Sequence, residues 1–211
     1  MRLIVLLLIL LPCLAFSQAT KEHYDIYSQY LKNYQAQRGK RMHFVVREST
    51  DYFRKYDTTG IREIINELRN YLKGDAVSRS DVAFQFQSFA DTLKRDTTWM
   101  SLIAELDRKT KSELVLRNEF SKAIHTSIIS NSTYENYFKI KDFRKGWTDF
   151  HKHYPKSAVM VEFSAIVSDG RHAVFYFIAK CGGLCGAGYM VFGYKENNKW
   201  KFIVTQPLWQ S

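Results

Sequence analysis

The sequence predicts an α+β domain: a helical N-terminal half packed on a C-terminal four-stranded antiparallel β-meander. Three observations predict it. Apolar residues recur at helical spacing through most of the first 155 positions. From Val159 onward they alternate in the two-residue period of a strand. Turn signals at Asp169-Gly170 and Asn197-Asn198 then divide the last quarter of the chain. The expected organisation is a signal segment over residues 1–17 and a single α+β domain over 18–211, with a helical part over about 20–155 and a sheet over about 157–208.

The helices follow from their stripes. Tyr24, Tyr27, Leu31 and Tyr34 share one face, widened by Tyr30, and Gly39 is a natural stop. A tyrosine stripe can stack on sugars or dock on a core; docking is the simpler reading. Ile61, Ile64, Ile65, Leu68 and Leu72 make the most regular helix pattern, closed by Gly74. Val82, Phe86, Phe89 and Leu93 predict another after Ser78 and Asp81, although Val82, Phe84 and Phe86 also alternate as a strand would. Trp99, Leu102, Ile103 and Leu106 form a further amphipathic stretch, and Phe120, Ala123, Ile124 and Ser127 return to helical spacing. Residues 131–146 read as a connection with one short helix. Trp147, Phe150, His151 and Tyr154 share a helix face that Pro155 ends. Two brief strands interrupt this half, at Met42–Glu48 and Leu114–Leu116, where β-favouring side chains cluster.

In the meander, Val159 to Val167 is the first strand. Asp169-Gly170 makes a tight hairpin with positive φ at both positions. His172 to Lys180 is apolar on both faces and therefore central. Tyr189 to Tyr194 is the third strand. Lys199 to Thr205 is the fourth, with Trp200, Phe202 and Val204 on one face, and Pro207 ends it.

The second and third strands are joined by Cys181-Gly182-Gly183-Leu184-Cys185-Gly186-Ala187-Gly188. In a straight strand, residues four apart lie about 13 Å apart, beyond disulfide reach. A Cys181–Cys185 bond therefore requires the chain to reverse between them. A three-residue loop, Gly182 to Leu184, sets Cys181 opposite Cys185, Phe177 opposite Tyr189 and Phe175 opposite Val191. So small a ring stabilises by about 2 kcal/mol in the chain-entropy model. The spacing is not the C-x-x-C of redox proteins, and the residues after Cys185 lead into a strand rather than a helix N-terminus that would lower a thiol pKa. Two cysteines supply half a tetrahedral metal set, and the glycines do not match a dinucleotide or phosphate loop. Gly182, Gly183, Gly186 and Gly188 can still form a surface that a ligand approaches closely.

The compartment is read from the N-terminus. Arg2, the apolar run Leu3 to Leu11, and Ala15-Phe16-Ser17 have the order of a secretory signal. The run is shorter than the roughly 18 to 20 apolar residues a spanning helix needs. Cys13 would be a lipid-anchor site, but Leu10-Leu11-Pro12 before it lacks the small residue such a site requires. The expected protein is exported, periplasmic or extracellular, with no transmembrane segment. Removing residues 1–17 takes away Cys13 and leaves Cys181 and Cys185, an even pair in an oxidising compartment. It also removes one charge, Arg2, from a formal net charge of +10. That excess of cations favours an anionic envelope polymer or another envelope protein as partner. Export argues against nucleic acid. The densest basic stretch holds Lys139, Lys141, Arg144, Lys145, Lys152 and Lys156, which also reads as a solvated face.

No catalytic set emerges. His151 and His153 lie on different helix faces, Asp149 and His153 are spaced to pair on the solvent side, and His172 sits beside a turn, exposed. Ser164, His151 and Asp149 have no spacing that makes them a triad. Glu48, Glu63, Glu67 and Glu162 show no paired pattern. Glu162 reads as an exposed strand-face carboxylate, with a buried, perturbed acid as its alternative. Asn131-Ser132-Thr133 matches the glycosylation sequon. No cofactor or metal is implied.

The last 65 or so residues resemble a group of uncharacterised exported proteins from Bacteroidota-type bacteria. The resemblance rests on Trp147 through Tyr154-Pro155, Phe163-Ser164, the Cys181–Gly188 loop, Asn198-Lys199-Trp200-Lys201 and the closing Leu208-Trp209-Gln210-Ser211. The Ser17-Gln18 exit resembles theirs as well. It implies export and the meander, and no chemistry.

Three function classes remain: a non-catalytic binding or interaction module, a small enzyme with a pocket between helices and sheet, and a thiol-disulfide protein using Cys181 and Cys185. Intact-mass measurement on protein purified from its native compartment is expected to show one disulfide; two alkylatable thiols would overturn that pairing.

Overall fold

The structure is a computed structural model that describes residues 17–39, 41–49, 96–110, 112–139, 142–155 and 157–210, together with the helical positions 66 and 70. Residues 1–16, with the expected signal and Cys13, and nearly all of the helices expected over 61–93 lie outside the described residues.

Strand β1 (Ser17–Gln18) leads into helix α1 (Lys21–Gln37), followed by β2 (His43–Arg47) and helix α2 (Thr98–Lys109). Then come β3 (Leu114–Val115), β4 (His125–Ile129), helix α3 (Asn131–Phe138) and helix α4 (Phe143–His153). Strands β5 (Ser157–Phe163), β6 (Val167–Ser168), β7 (His172–Gly182), β8 (Cys185–Glu196) and β9 (Lys199–Gln210) complete the chain. The α+β class stands. The four-stranded antiparallel meander does not: among the described residues the main sheet has seven strands in the order β4-β2-β5-β7-β8-β9, with β6 also on β7.

The sheet is mixed. β2 lies between β4 and β5 and runs parallel to both, whereas β5, β7, β8 and β9 pair antiparallel. Phe44, Val45 and Val46 are all buried, which suits an interior strand covered on both faces. The partners of β2 arrive from residues 125–129 and 157–163, so long connections carry the chain back for each parallel pairing. The helix expected around Phe120 to Ser127 is replaced by β4. A single turn, Ile124 N–H to the Ser121 carbonyl at 2.9 Å, brings Phe120 and Ile124 into the core and mimics helical spacing. After it, β-branched Thr126, Ile128 and Ile129 suit a strand.

The expected first strand of the meander is broken. Ser164, Ala165 and Ile166 interrupt it between β5 and β6. The Ser164 hydroxyl accepts the Tyr176 amide at 2.8 Å and donates to the Ala165 carbonyl at 2.9 Å, which satisfies the interruption internally. The Asp169-Gly170 turn also differs from expectation. Only Gly170 has positive φ, +86°, while the Asp169 carboxylate caps the Arg171 and His172 amides at 2.8 and 2.6 Å. Asn197 and Asn198 do both take positive φ, 49° and 59°, as their turn requires. Pro207 does not end the last strand. β9 is an edge strand, where a missing amide hydrogen is tolerated, and a register shift opposite Phe192/Gly193 breaks the expected row of Trp200, Phe202 and Val204.

Each sheet face has its own cover. On one face α1 lays Tyr24, Tyr27, Tyr30 and Leu31 against Phe44, Val161, Phe163, Phe175, Phe177 and Val191. The rings interlock: Tyr27 stacks on Phe163 with centroids 4.2 Å apart, and Tyr30 meets Phe175 and Phe177 edge-on at 5.4 and 4.9 Å. The fully buried Tyr27 hydroxyl donates to the Ser164 carbonyl at 2.5 Å. On the other face α3 and α4 cover Val45, Ile129 and Met160 with Trp147 and Phe150. Gly146 permits this, because a Cβ there would collide with the Tyr137 carbonyl. Further along that face, α2 sets Trp99 against His172 and Phe192, at 4.8 and 5.7 Å.

His43 on β2 stacks on His125 of β4 at 4.0 Å and meets Ser127 Oγ at 2.9 Å. Burial first, and the neighbouring His125 second, hold the His43 pKa below its ordinary value. At His23, burial and then Lys109 lower the pKa, with Glu22 opposing. An imidazole with a lowered folded pKa takes up its proton more readily when unfolded. The stability it supports is therefore complete above the unfolded value of about 6.5 and is lost as pH falls through the folded values. Urea unfolding is expected to give a lower midpoint at pH 5.0 than at pH 7.5, and His43→Gln to narrow the gap. Equal midpoints in the unsubstituted protein would contradict this.

Candidate functional site

The β7–β8 hairpin carries the loop that the sequence singled out. Its register pairs Phe175 with Val191 and Phe177 with Tyr189, as expected. Near the tip the register shifts, so that Gly182 rather than Cys181 faces Cys185, and the turn contracts to Gly183-Leu184. The expected three-residue loop is thus a two-residue turn with Cys181 as the extra residue of a bulge. The cysteine Cα atoms lie 5.1 Å apart, with the sulfurs at disulfide distance. Cys185 is exposed, and Leu184 is 90% exposed at the apex.

A second apolar side chain stands beside the apex. Phe143, the first residue of α4, is 47% exposed, and its ring lies in van der Waals range of the space beside Gly183. Phe143 packs on Phe138 of α3 at 5.6 Å. Exposed Lys139, Arg144 and Lys145 follow these two rings directly in the chain. The Asp142 carboxylate accepts the Arg144 and Lys145 amides at 3.0 and 3.2 Å and so caps α4. A helix N-terminus therefore does adjoin the loop, in space rather than in sequence, but its first amides are already engaged. Lys141 and Lys156, also in the basic stretch, lie outside the described residues.

The glycines divide. Gly183 is exposed at the apex, and Gly182 and Gly186 are half-buried on the two arms. Gly188 is buried, and a Cβ there would collide with the Trp209 indole, so its role is close packing of β9 on β8.

Below the hairpin lies an ionic network that the sequence left unread. Glu162 is fully buried, not an exposed strand-face acid. Arg47 Nη1 reaches it at 3.2 Å and Lys180 Nζ at 2.5 Å. These residues belong to three adjacent strands and share the alternation of buried Val45, Met160 and Ile178. Helix α3 closes the network from above. Its Asn131 Oδ1 accepts from Arg47 at 3.0 Å, its Tyr134 ring lies 4.0 Å from the Arg47 guanidinium, and its Glu135 is 4.0 Å from Arg47. The Asn131 amide also donates to Ser49 at 2.5 Å, and Ser49 donates to Glu113. With its amide engaged on both sides, the sequon asparagine is a structural residue.

Burial opposes charge on Lys180, but Glu162 and Tyr134 outweigh it and hold the Lys180 pKa above its ordinary value. An amine nucleophile requires the opposite shift. Burial raises the Tyr134 pKa. The arrangement is a paired lock that positions Lys180 immediately before Cys181.

The histidines do not assemble a catalytic set. His172 is only 19% exposed in its side chain, not open as expected, and sits between Asp169 at 2.9 Å and Asp96 at 3.3 Å. Asp149 pairs with Lys152 at 3.3 Å, while His153 meets the Asp149 carbonyl instead of its carboxylate. His151 lies against Trp147 and Phe150, and the Ser164 hydroxyl is engaged by the Tyr176 amide and the Ala165 carbonyl. Glu48 contributes backbone bonds to Ile129 and Leu116; Glu63 and Glu67 lie outside the described residues. Among the described residues no group of three or more His, Cys, Asp and Glu could hold a metal ion. The described residues line several grooves, among them one of about 360 Å³ between α1 and the β8–β9 turn, with Lys32, Lys195, Asn198 and Trp200, and one of about 530 Å³ with Arg41, Lys122 and His125. No described helix is long and apolar enough to cross a membrane. Comparison with known proteins finds no family model, no curated protein and no solved structure that matches this chain.

Removing one partner of a buried ion pair leaves an unpaired charge, at a cost of about 3–5 kcal/mol. Glu162→Ala is expected to destabilise by that amount in urea unfolding. The joint replacement Arg47→Met, Glu162→Leu, Lys180→Met is expected to recover most of it. A loss below about 1 kcal/mol for Glu162→Ala would show that the network does not hold α3 to the sheet.

Proposed function

We propose that this chain is an exported, non-catalytic binding module whose contact surface is the tip of the β7–β8 hairpin. The observation that carries the proposal is Leu184, an apolar side chain 90% exposed at a two-residue turn. Leu184 does not stand alone: Phe143, the other exposed large hydrophobic among the described residues, lies beside Gly183 of the same turn, so the apex presents a small apolar patch. The turn is also held in place. The cysteine pair clamps it, Lys180 is locked to Glu162 just below it, and Phe143 flanks it. Pre-ordering a contact loop lowers the entropy lost on binding.

Export is supported by the signal-like order of residues 1–17 and by the even cysteine pair left after it, and the resemblance to exported Bacteroidota-type proteins agrees. Gly183, with Gly182 and Gly186 below it, leaves the backbone open to close approach by a partner. The reading as an enzyme with a pocket between helices and sheet has less support. Aromatic rings occupy the α1 face of the sheet, and Lys180 is held in its charged form. The exposure of Cys185 favours thiol–disulfide exchange as the second reading. Against it, the Asp142 carboxylate occupies the α4 terminus that would otherwise stabilise a thiolate.

A surface residue used only for contact is dispensable to the fold. Leu184→Ser is expected to change unfolding free energy by less than about 0.5 kcal/mol. A photo-crosslinking residue at position 184 is expected to form adducts in cells that the same residue at exposed Arg108 does not. Large destabilisation by Leu184→Ser, or identical labelling from both positions, would refute the binding surface.

A further inference from the structure

The binding reading leaves the partner open, and the chemistry around Leu184 narrows it. Resting on that reading, we propose that the hairpin tip docks on the surface of an anionic phospholipid bilayer, with Leu184 and Phe143 entering the headgroup region and Lys139, Arg144 and Lys145 meeting lipid phosphates.

Three observations converge on this occupant. First, Leu184 and Phe143 are the two exposed large hydrophobic residues among those described, and the Phe143 ring stands beside Gly183, the residue next to Leu184 in the turn. One turn residue and one helix residue make a small apolar patch beside the about 20–30 residues a side of a stable protein interface. They suit shallow insertion, in which apolar groups sink only to the boundary between headgroups and acyl chains.

Second, cations outnumber the one described carboxylate beside the patch: Lys139, Arg144 and Lys145 against Asp142. Lys139, Arg144 and Lys145 are all exposed, and among the described residues none of them has a carboxylate within ion-pair distance. The neighbouring Asp142 is committed to the first amides of α4. Cations beside apolar anchors are the combination that retains a peripheral protein on an anionic leaflet, where each basic side chain near the surface strengthens binding about five-fold.

Third, the tip is built not to yield. Insertion of a mobile loop would be opposed by the entropy of ordering it, whereas this turn is already closed by the Cys181–Cys185 pair and backed by the Glu162–Lys180 contact at 2.5 Å. The lipid surface thus meets a rigid wedge with a basic collar.

The test is co-sedimentation of the full chain at constant salt with vesicles of phosphatidylcholine alone and of phosphatidylcholine with phosphatidylglycerol. The apolar run at residues 3–11 is common to every variant, so ratios between variants and between vesicle types report the tip. Partitioning is expected to be at least ten-fold stronger into the phosphatidylglycerol vesicles. Leu184→Asp is expected to weaken it about ten-fold with an unchanged circular-dichroism spectrum. The combination Lys139→Gln, Arg144→Gln and Lys145→Gln is expected to weaken it about 100-fold and to abolish the preference for anionic lipid. Equal partitioning into both vesicle types, or indifference to Leu184→Asp, overturns the proposal. The crosslinker at position 184 separates the two levels of inference. Labelling of lipid supports the docking surface; labelling of a protein instead overturns it while leaving the binding module standing; labelling of neither removes both.

Discussion

Strand β7 pairs along its length with β5 and β6 on one side and β8 on the other, and Ala173 to Ala179 are buried on both faces. A strand with no solvent face obliges the protein to build a layer above and a layer below it. Helix α1 supplies one layer, with its tyrosines seated among Phe163, Phe175 and Phe177. Helices α2, α3 and α4 contribute to the other. Because β7 cannot shift without moving both layers, its C-terminal extension is a rigid arm. Lys180, Cys181 and the turn beyond them are presented from that arm.

The buried charges serve the same end. Arg47, Glu162 and Lys180 interrupt an apolar sheet face at one spot, where three neighbouring strands and α3 meet. A buried ion pair is a weak source of net stability, because desolvation offsets most of the attraction. Its geometric demand is strong, however. Glu162 keeps its charge only if both cations remain in place, and Arg47 is fully engaged only if Asn131 and Tyr134 come down upon it. The network thus couples the position of α3 to the base of the hairpin, and α3 in turn supports Phe143 through Phe138. The surface at Leu184 is held from both sides by this chain of contacts.

Much of this was legible in the chain, and the reasons are particular. Helix α1 was readable because its tyrosines recur at one face, and α2 because Trp99, Leu102, Ile103 and Leu106 do. The centrality of β7 followed from its unbroken apolar run. The cysteine loop was recognised by its glycines and its four-residue spacing, but its tip was misjudged by one residue, because a bulge at Cys181 leaves no mark on an alternating pattern. Strand β4 was misread because one turn reproduced helical spacing. The ionic network was missed for a different reason. Each member looks like an ordinary charged residue closing an apolar strand, and only the shared alternation with Val45, Met160 and Ile178 hinted that all three point the same way.

The local pattern of side chains alone determined the α+β class, the aromatic face of α1, the asparagine turn and the reversal between the cysteines. Periodicity and turn chemistry are properties of neighbours along the chain, so neighbours suffice to reveal them. Tertiary structure alone decided that β2 runs parallel between β4 and β5, that Glu162 meets Arg47 and Lys180, and that Phe143 stands beside Gly183. These pairings join segments as distant as residues 47 and 162. They are chosen by which faces must be buried together, a condition that no single segment of the sequence contains.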